Sequence, residues 1–284
     1  MPRIGPYTLH VIETGRFGLD GGAMFGIIPK PLWERRIPAD ARNRILLHMR
    51  CLLLEGAGRL ILVDTGLGDK YDARFQEIYA VDHATHELHA SLKQAGFCAA
   101  DVTDVILTHL HFDHAGGGTR RRGDRIVPTF ENATYHVQGR HWAWAVAPNP
   151  RERGSFLKEN IEPLAASGQL YLVDGDIELF PGVHLMTMHG HTEAQQLVRV
   201  TDGEQTLVFV ADLLPTTAHL GLPWVMAYDV RPLVTVEEKQ RFLEQACAEG
   251  WQLFFEHDPQ TAVAGLERTP KGVAATDERP LHAL

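Results

Sequence analysis

The sequence predicts an α/β protein in which layered sheets are covered by helices. Short apolar stretches with strand character gather in two groups along the 284 residues, and helical patterns stand beside or after them. Several of these strands end directly in a histidine or an aspartate. Because no break in composition and no internal repeat divides the chain, we predict one domain over residues 1–284.

The composition is that of an ordinary globular protein with enough apolar material for a sizeable core, 44% hydrophobic and 22% charged residues. A formal charge of −9 argues against a general nucleic-acid surface. The chain has no apolar run near the ~18 residues of a membrane span and no signal-like start. Cys51, Cys98 and Cys247 form no paired motif, and Cys51 and Cys247 fit buried thiols. We therefore expect a cytoplasmic protein without nucleic-acid or membrane partners.

The N-terminal part begins with a strand predicted at residues 7–13. Residues 15–35 are rich in glycine and apolar side chains, and two nearby prolines favour a loop over a regular element. An apolar loop is costly to leave in water, so it should pack somewhere. It either joins the core, walls a substrate pocket with Met24, Phe25 and Ile27, or forms the contact of a homodimer.

Two strands, at residues 44–54 and 59–63, follow as a predicted hairpin. The second strand ends in Asp64, which either orients a neighbouring side chain or caps a turn. Helices are predicted at residues 71–79 and 85–95.

The stretch from Thr108 to Gly118 contains three histidines, an aspartate and three consecutive glycines. It follows a strand predicted at residues 105–108. If the strand continues in extended form, His109, His111 and Asp113 project to one side, and the chain turns at His114. The glycines would then permit unusual dihedral angles. Imidazole and carboxylate groups in this density favour a metal site over a merely solvated loop.

The remaining strands are predicted at residues 133–137, 170–173, 177–180, 183–188, 207–210 and 251–255, with a helix at 236–249. Three of these strands lead to His191, Asp212 and His257. From about residue 271 the chain is predicted to be a mobile tail.

Five strand ends thus deliver a histidine or an aspartate where a buried strand emerges. Rigid strands hold ligands within the small tolerances that a metal site needs. The candidate ligands are sufficient for two divalent cations, zinc being favoured over manganese, cobalt or iron: His109, His111, Asp113, His114, His191, Asp212 and His257.

At these residues the chain resembles the metallo-β-lactamase superfamily, whose mark is a His-x-His-x-Asp-His loop, here residues 109–114. Asp64, Gly190-His191-Thr192, Ala211-Asp212-Leu213 and Glu256-His257-Asp258 match its other motifs in order. The resemblance implies an αββα sandwich with a dinuclear metal site at one edge. Its ligand scheme puts one cation on His109, His111 and His191. The other would bind Asp113, His114 and His257, with Asp212 bridging both.

Within the superfamily the chain is most similar to YtnP-like quorum-quenching lactonases, through residues 20–26, 29–33, 211–216 and 224–229. One departure is Pro215, where some acyl-homoserine lactonases have a tyrosine that contacts the substrate. Tyr228 and His219 are the candidates to replace it.

The predicted function is lactone opening, with an N-acyl-homoserine lactone as the small-molecule substrate, by attack of a metal-bridging hydroxide. Asp113 would hold the nucleophile and pass a proton to the leaving oxygen. The alternative is a phosphotriesterase or arylesterase of the same superfamily, since the same nucleophile attacks phosphorus. A β-lactamase, a glutathione-thioester hydrolase, a redox di-iron protein and a non-catalytic metal-binding module are less favoured.

Overall fold

The computed structural model describes residues 2–84, 86–270 and 272–279. The chain divides into two compact units, each built from two segments. Unit 1 comprises Met1–Arg16 and Met49–Ile177, and unit 2 comprises Phe17–His48 and Glu178–Leu284. The prediction of a single domain is not tested by this division and stays a prediction.

The described helices lie in both units, and in chain order they are α1 (Gly21–Phe25), α2 (Lys30–Trp33), α3 (Ala73–Ile78), α4 (Leu88–Gln94), α5 (Phe112–Ala115), α6 (Gly139–Val146), α7 (Lys158–Ser167) and α8 (Pro232–Glu249).

The strands of the first half of the fold are β1 (Arg3–Ile4), β2 (Tyr7–Asp20), β3 (Arg44–Gly56), β4 (Arg59–Val63), β5 (Asp104–Ile106), β6 (Thr119–Arg122), β7 (Arg125–Pro128), β8 (Thr134–Gln138) and β9 (Leu170–Val173). Seven of them form a mixed sheet in the order β1-β2-β3-β4-β5-β8-β9, and β6 and β7 form a separate hairpin. The run from β4 to β9 is parallel. Its carboxyl ends therefore face one edge, where the chain continues from β4 to Asp64 and from β5 toward His109.

The core of unit 1 packs around this sheet. Leu53, Leu62, Val105 and Tyr135 are buried side chains of adjacent strands, and α4 contributes Leu92. The predicted helices are present here, although α4 begins at Leu88 because the Glu87 carboxylate accepts hydrogen bonds from two amides of the first turn.

The strands of the second sheet, in its order, are β10 (Ile177–Phe180), β11 (Val183–Met188), β12 (Gln195–Thr201), β13 (Thr206–Phe209), β14 (Gln252–Phe254), β15 (Val263–Thr269) and β16 (Gly272–Arg279). All pairings whose register is defined are antiparallel except β13 with β14. The 18-residue helix α8 makes the crossover that this parallel pair requires. Phe209 and Phe254 are partners at the carboxyl end of the pair.

The loop predicted at residues 15–35 is wrong in part, because these residues contain the end of β2 and the helices α1 and α2. The Asp20 carboxylate accepts a hydrogen bond from the Ala23 amide, which caps α1. Pro31 lies within the first two positions of α2, where a missing amide hydrogen removes no helical bond. The prolines therefore start this helix and do not exclude it.

Two further expectations are corrected. The tail predicted from about residue 271 contains β16, an edge strand whose partner is β15, whereas residues 271 and 280–284 lie outside the described part. Cys51 is buried as predicted, but Cys247 is half-buried, because it lies one residue past Ala246 on α8 and turns from the buried face. Among the described residues no helix combines the length and hydropathy that a membrane span requires.

Candidate metal centre

The His-rich stretch of unit 1 does not continue β5 in extended form. It passes through His109 and His111 and turns into the short helix α5 at Phe112, so Asp113 and His114 are helical. None of Gly116, Gly117 and Gly118 has a positive φ. A Cβ at Gly116 would collide with the Leu67 carbonyl, and one at Gly117 with the Thr65 carbonyl. These two glycines thus serve close backbone approach, not unusual dihedral angles.

His109 and His111 face each other through ring nitrogens. Nε2 of His109 lies 3.0 Å from Nδ1 of His111, and both side chains are buried. Nδ1 of His109 donates to the Thr108 hydroxyl at 3.1 Å, because that hydroxyl itself donates to Asp64 at 2.7 Å. Nε2 of His109 is therefore the nitrogen with an available lone pair. Two ring nitrogens at this separation can both lie about 2.1 Å from one cation.

Asp64 orients this loop from a strained position at the end of β4. Its φ is +57°, and its carboxylate is fully buried. The carboxylate accepts hydrogen bonds from the amide and hydroxyl of Thr108, and from Nδ1 of His114 at 3.0 Å. Nε2 of His114 then points away from Asp64, and it lies 3.7 Å from Oδ2 of Asp113. Of the two predicted roles for Asp64, these contacts support orientation of a ligand.

Unit 2 supplies a carboxylate flanked by two imidazoles. Asp212 follows β13 in a 3₁₀ turn, Ala211–Leu213. Its Oδ2 lies 3.1 Å from Nε2 of His191, and its Oδ1 lies 3.3 Å from Nε2 of His257. The backbone of β14 places His257 because Phe254 pairs with Phe209 of β13.

Both imidazoles that flank Asp212 also have their second nitrogen fixed. Nδ1 of His257 donates to the His48 carbonyl at 2.8 Å, and Nδ1 of His191 donates to Asp229 at 2.9 Å. Burial disfavours the charged form of His191, but the carboxylates of Asp212 and Asp229 outweigh it and raise the pKa of His191 to about 10. The same negative charge favours a divalent cation beside Nε2.

The donor set fits a divalent cation. The ligand-type atoms of His109 and His111, of Asp113 and His114, and of His191 and Asp212 lie within 4.8 Å of one another in each pair. All these side chains are buried, and buried carboxylates need a charged partner. These groups can therefore hold metal ions.

The other predicted site residues lie in unit 2 with different surroundings. His219 is buried, its Nε2 donates to the Met24 carbonyl at 2.9 Å, and its Nδ1 accepts from the Thr216 hydroxyl at 2.8 Å. Burial lowers the pKa of His219 to about 4, so the ring is neutral. These contacts favour a structural role for His219 over proton donation to a substrate. Tyr228 is 37% exposed, which suits contact with a ligand.

Of the predicted pocket wall, only Ile27 faces outward, with 84% of its surface exposed. Met24 and Phe25 are buried, and the Phe25 ring stacks between Trp33 and His219 at centroid distances of 5.4 and 4.8 Å. Burial in this aromatic stack fits core packing for Phe25. That Met24, Phe25 and Ile27 line a substrate pocket stays a prediction.

Three polar residues that hold this centre were not predicted. Asp229 binds His191, and Glu238 of α8 accepts hydrogen bonds from the amides of His189 and Gly190. Glu152 lies beside His111. Asp229 lies within a passage that carries the family resemblance, which was a usable signal, whereas nothing in the local sequence distinguishes the two glutamates.

Comparisons with known proteins relate this chain to a family of metal-dependent hydrolases. The family model described as the metallo-beta-lactamase superfamily matches residues 50–246. An N-acyl homoserine lactonase of Bacillus thuringiensis is 28% identical over 262 residues, which cover 88% of this chain and 92% of that protein. An N-acyl homoserine lactonase of Bacillus cereus is 29% identical over 177 residues, 59% of this chain, and the match spans 64% of that relative.

Solved structures agree. A probable metal-dependent hydrolase from Staphylococcus aureus superposes with a TM-score of 0.89 at 29% identity, covering 98% of this chain and 100% of the other. AidC, a dizinc quorum-quenching lactonase, superposes with a TM-score of 0.82 at 21% identity, covering 98% and 97%, which shows a shared fold. The predicted fold class and the resemblance are confirmed: the chain belongs to the metallo-beta-lactamase superfamily.

Proposed function

We propose that this protein is a metal-dependent hydrolase that opens the lactone ring of N-acyl-homoserine lactones. The observation that carries the proposal is the set of buried imidazoles whose second nitrogens are fixed by Asp64, Thr108, Asp229 and the His48 carbonyl. Such support is expected where imidazoles must present a lone pair to a cation. The relatives named N-acyl homoserine lactonase supply the substrate class.

Two cations fit the number of ligands. We assign one to His109, His111 and His191, and the other to Asp113, His114 and His257, with Asp212 bridging. The dizinc character of the structural neighbour AidC supports zinc for both. Two bound cations would supply a water of lowered pKa as the nucleophile and a Lewis acid for the carbonyl oxygen.

The protein's own groups then have separable tasks. Asp113 is 7% exposed and lies beside His114, a position from which its carboxylate can hold a proton and deliver it to the leaving alkoxide. Tyr228 carries a hydroxyl on a partly exposed side chain and is our candidate donor to the carbonyl oxygen. Since Pro215 has no side-chain donor, this task needs a residue elsewhere in the chain. Ile27 is the candidate apolar contact for an acyl chain.

The deciding experiment measures proton release after N-acyl-homoserine lactones are added to zinc-loaded protein, with a paraoxon-type phosphotriester in parallel. We expect a lactone kcat/KM above roughly 10⁴ M⁻¹s⁻¹, which is ordinary for an enzyme acting on its own substrate class. Negligible lactone turnover with two bound zinc ions would overturn the lactonase proposal. Preferred phosphotriester turnover would favour the alternative.

Two predictions about context go with this function. The sequence leaves residues 15–35 open as a pocket wall or as the contact of a homodimer, and both the homodimer and a cytoplasmic location stay predictions. Cross-linking and size-exclusion chromatography of the intact protein test the first, and fractionation of the source cells tests the second.

A further inference from the structure

The segment between α6 and α7 covers one face of the His111 ring in unit 1. Phe156 packs on that ring at a centroid distance of 4.8 Å, and Glu152 faces its edge. Oε1 of Glu152 lies 3.6 Å from Nε2 of His111, and the two side chains are 3% and 9% exposed. A buried carboxylate therefore lies against a candidate metal ligand.

Glu152 is held in this position by its neighbours. Its Oε2 accepts hydrogen bonds from the indole nitrogen of Trp144 at 2.7 Å and from the side-chain amide of Asn149 at 2.6 Å. The Asn149 side chain in turn accepts from the amides of Arg151 and Glu152. The segment thus fixes the carboxylate while Oε1 faces His111.

His111 differs from the other imidazoles of the candidate centre. His114, His191 and His257 direct Nδ1 to a protein acceptor and keep Nε2 for a cation. His111 is reversed, because its Nδ1 faces Nε2 of His109. A ligating Nδ1 leaves the proton on Nε2, and the group beside Nε2 is Glu152.

We infer that Glu152 is a positioning residue that fixes the tautomer and orientation of His111 for cation binding, and that Trp144 and Asn149 position Glu152. A carboxylate at 3.6 Å from an N–H needs only a small movement to accept its hydrogen bond once the cation aligns the ring. Its negative charge also makes the imidazole a stronger ligand. This inference rests on the proposed metal centre and not on the identity of the substrate.

The test compares the zinc affinity of four proteins by competition with a chromophoric chelator. Glu152→Gln removes the charge at constant shape. It should lower the affinity for one of the two zinc ions about 10- to 100-fold, which is the range for loss of a residue that hydrogen-bonds a metal ligand. Trp144→Phe keeps the Glu152 carboxylate but removes the indole donor that positions it, and it should change zinc affinity in the same direction, but less. Glu162→Gln, at an exposed glutamate of α7, should match the parent protein.

A second measurement separates positioning from general stability. Cobalt-loaded Glu152→Gln should show a shifted d–d absorption spectrum while the metal-free variant unfolds at the same temperature as the metal-free parent. Parent-like affinity together with an unchanged cobalt spectrum would overturn the inference. If Glu152→Gln fails to fold, parent-like affinity and spectrum of Trp144→Phe would overturn it. Because zinc affinity is measured without substrate, the result can be interpreted even if the protein does not hydrolyse lactones.

Discussion

Nδ1 of His191 donates a hydrogen bond to Oδ1 of Asp229 over 2.9 Å, and this contact fixes which nitrogen His191 presents to Asp212. Replacement of Asp229 by Asn keeps one acceptor but removes the charge. We expect zinc affinity to fall about 10- to 100-fold. Chelator competition measures it, with Tyr228→Phe as the neighbouring control that should retain the parent affinity. Equal affinities of Asp229→Asn and the parent would contradict the orienting role.

Asp212 places one carboxylate oxygen near each of two imidazoles, those of His191 and His257. Asp212→Asn should therefore lower the affinity for both cations, because a bridging ligand has no substitute. It should also reduce the kcat/KM for lactone by at least about 100-fold. Metal content by atomic emission and the initial rate are measured on the same sample. Full activity with two cations still bound would refute the bridging assignment.

Asp64 combines a φ of +57° with three hydrogen bonds to Thr108 and His114. Asp64→Asn tolerates the backbone but cannot accept all three bonds, so the free energy of unfolding should fall by about 1–3 kcal/mol. Asp64→Ala should lower the free energy of unfolding by about 1–2 kcal/mol more than Asp64→Asn does, because alanine disfavours positive φ. Urea unfolding of the metal-free proteins measures both, with exposed Glu131→Gln as the unchanged control. An Asp64→Asn protein that is less stable than the Asp64→Ala protein would contradict this account.

Removal of the metal should act on stability as well as on turnover. At a free zinc concentration 100 times the dissociation constant, a cation that binds only the folded chain stabilises it by about 2.7 kcal/mol. Dialysis against a chelator should therefore lower the thermal midpoint and abolish proton release from lactone, and added zinc should restore both. A midpoint that is the same with and without zinc would argue against the predicted centre.

Lys239 of α8 gives a prediction on pH. Its Nζ donates to the carbonyls of Gly221 and Trp224 at 2.8 Å each, and burial lowers its pKa from 10.5 to about 7. Between these values the unfolded chain holds a proton that the folded chain has released, so stability rises with pH over that window. Relative to Lys239→Met, the wild type should gain about 1 kcal/mol of unfolding free energy per pH unit from pH 7.5 to 9.

Urea unfolding at several pH values measures this gain, with exposed Lys158→Met as the control that keeps the wild-type slope. A wild-type stability that runs parallel to that of Lys239→Met over this range would show that the folded protein retains the ammonium form.

The sequence alone suggested candidate ligands such as Asp212 and His257 because they follow strands with a strong apolar pattern, β13 and β14. It offered an orienting role for Asp64 but missed Asp229, Glu152 and Glu238. Asp229 lies 38 positions from His191, and no local pattern connects the two. The strand β16 was missed for a similar reason: Gly272, Ala274 and Ala275 give no alternation of apolar and polar side chains, and its pairing with β15 decides its conformation.

The parallel pair β13–β14 has a consequence for the order of events during synthesis. Asp212 leaves the ribosome 45 residues before His257, and the two are brought together only when α8 has crossed back over the sheet. A nascent chain that ends before β14 thus lacks the His257 imidazole and the sheet contact that sets its distance from Asp212. Because pairing of distant strands is slow, the juxtaposition of Asp212 and His257 should be among the later events in the folding of this sheet.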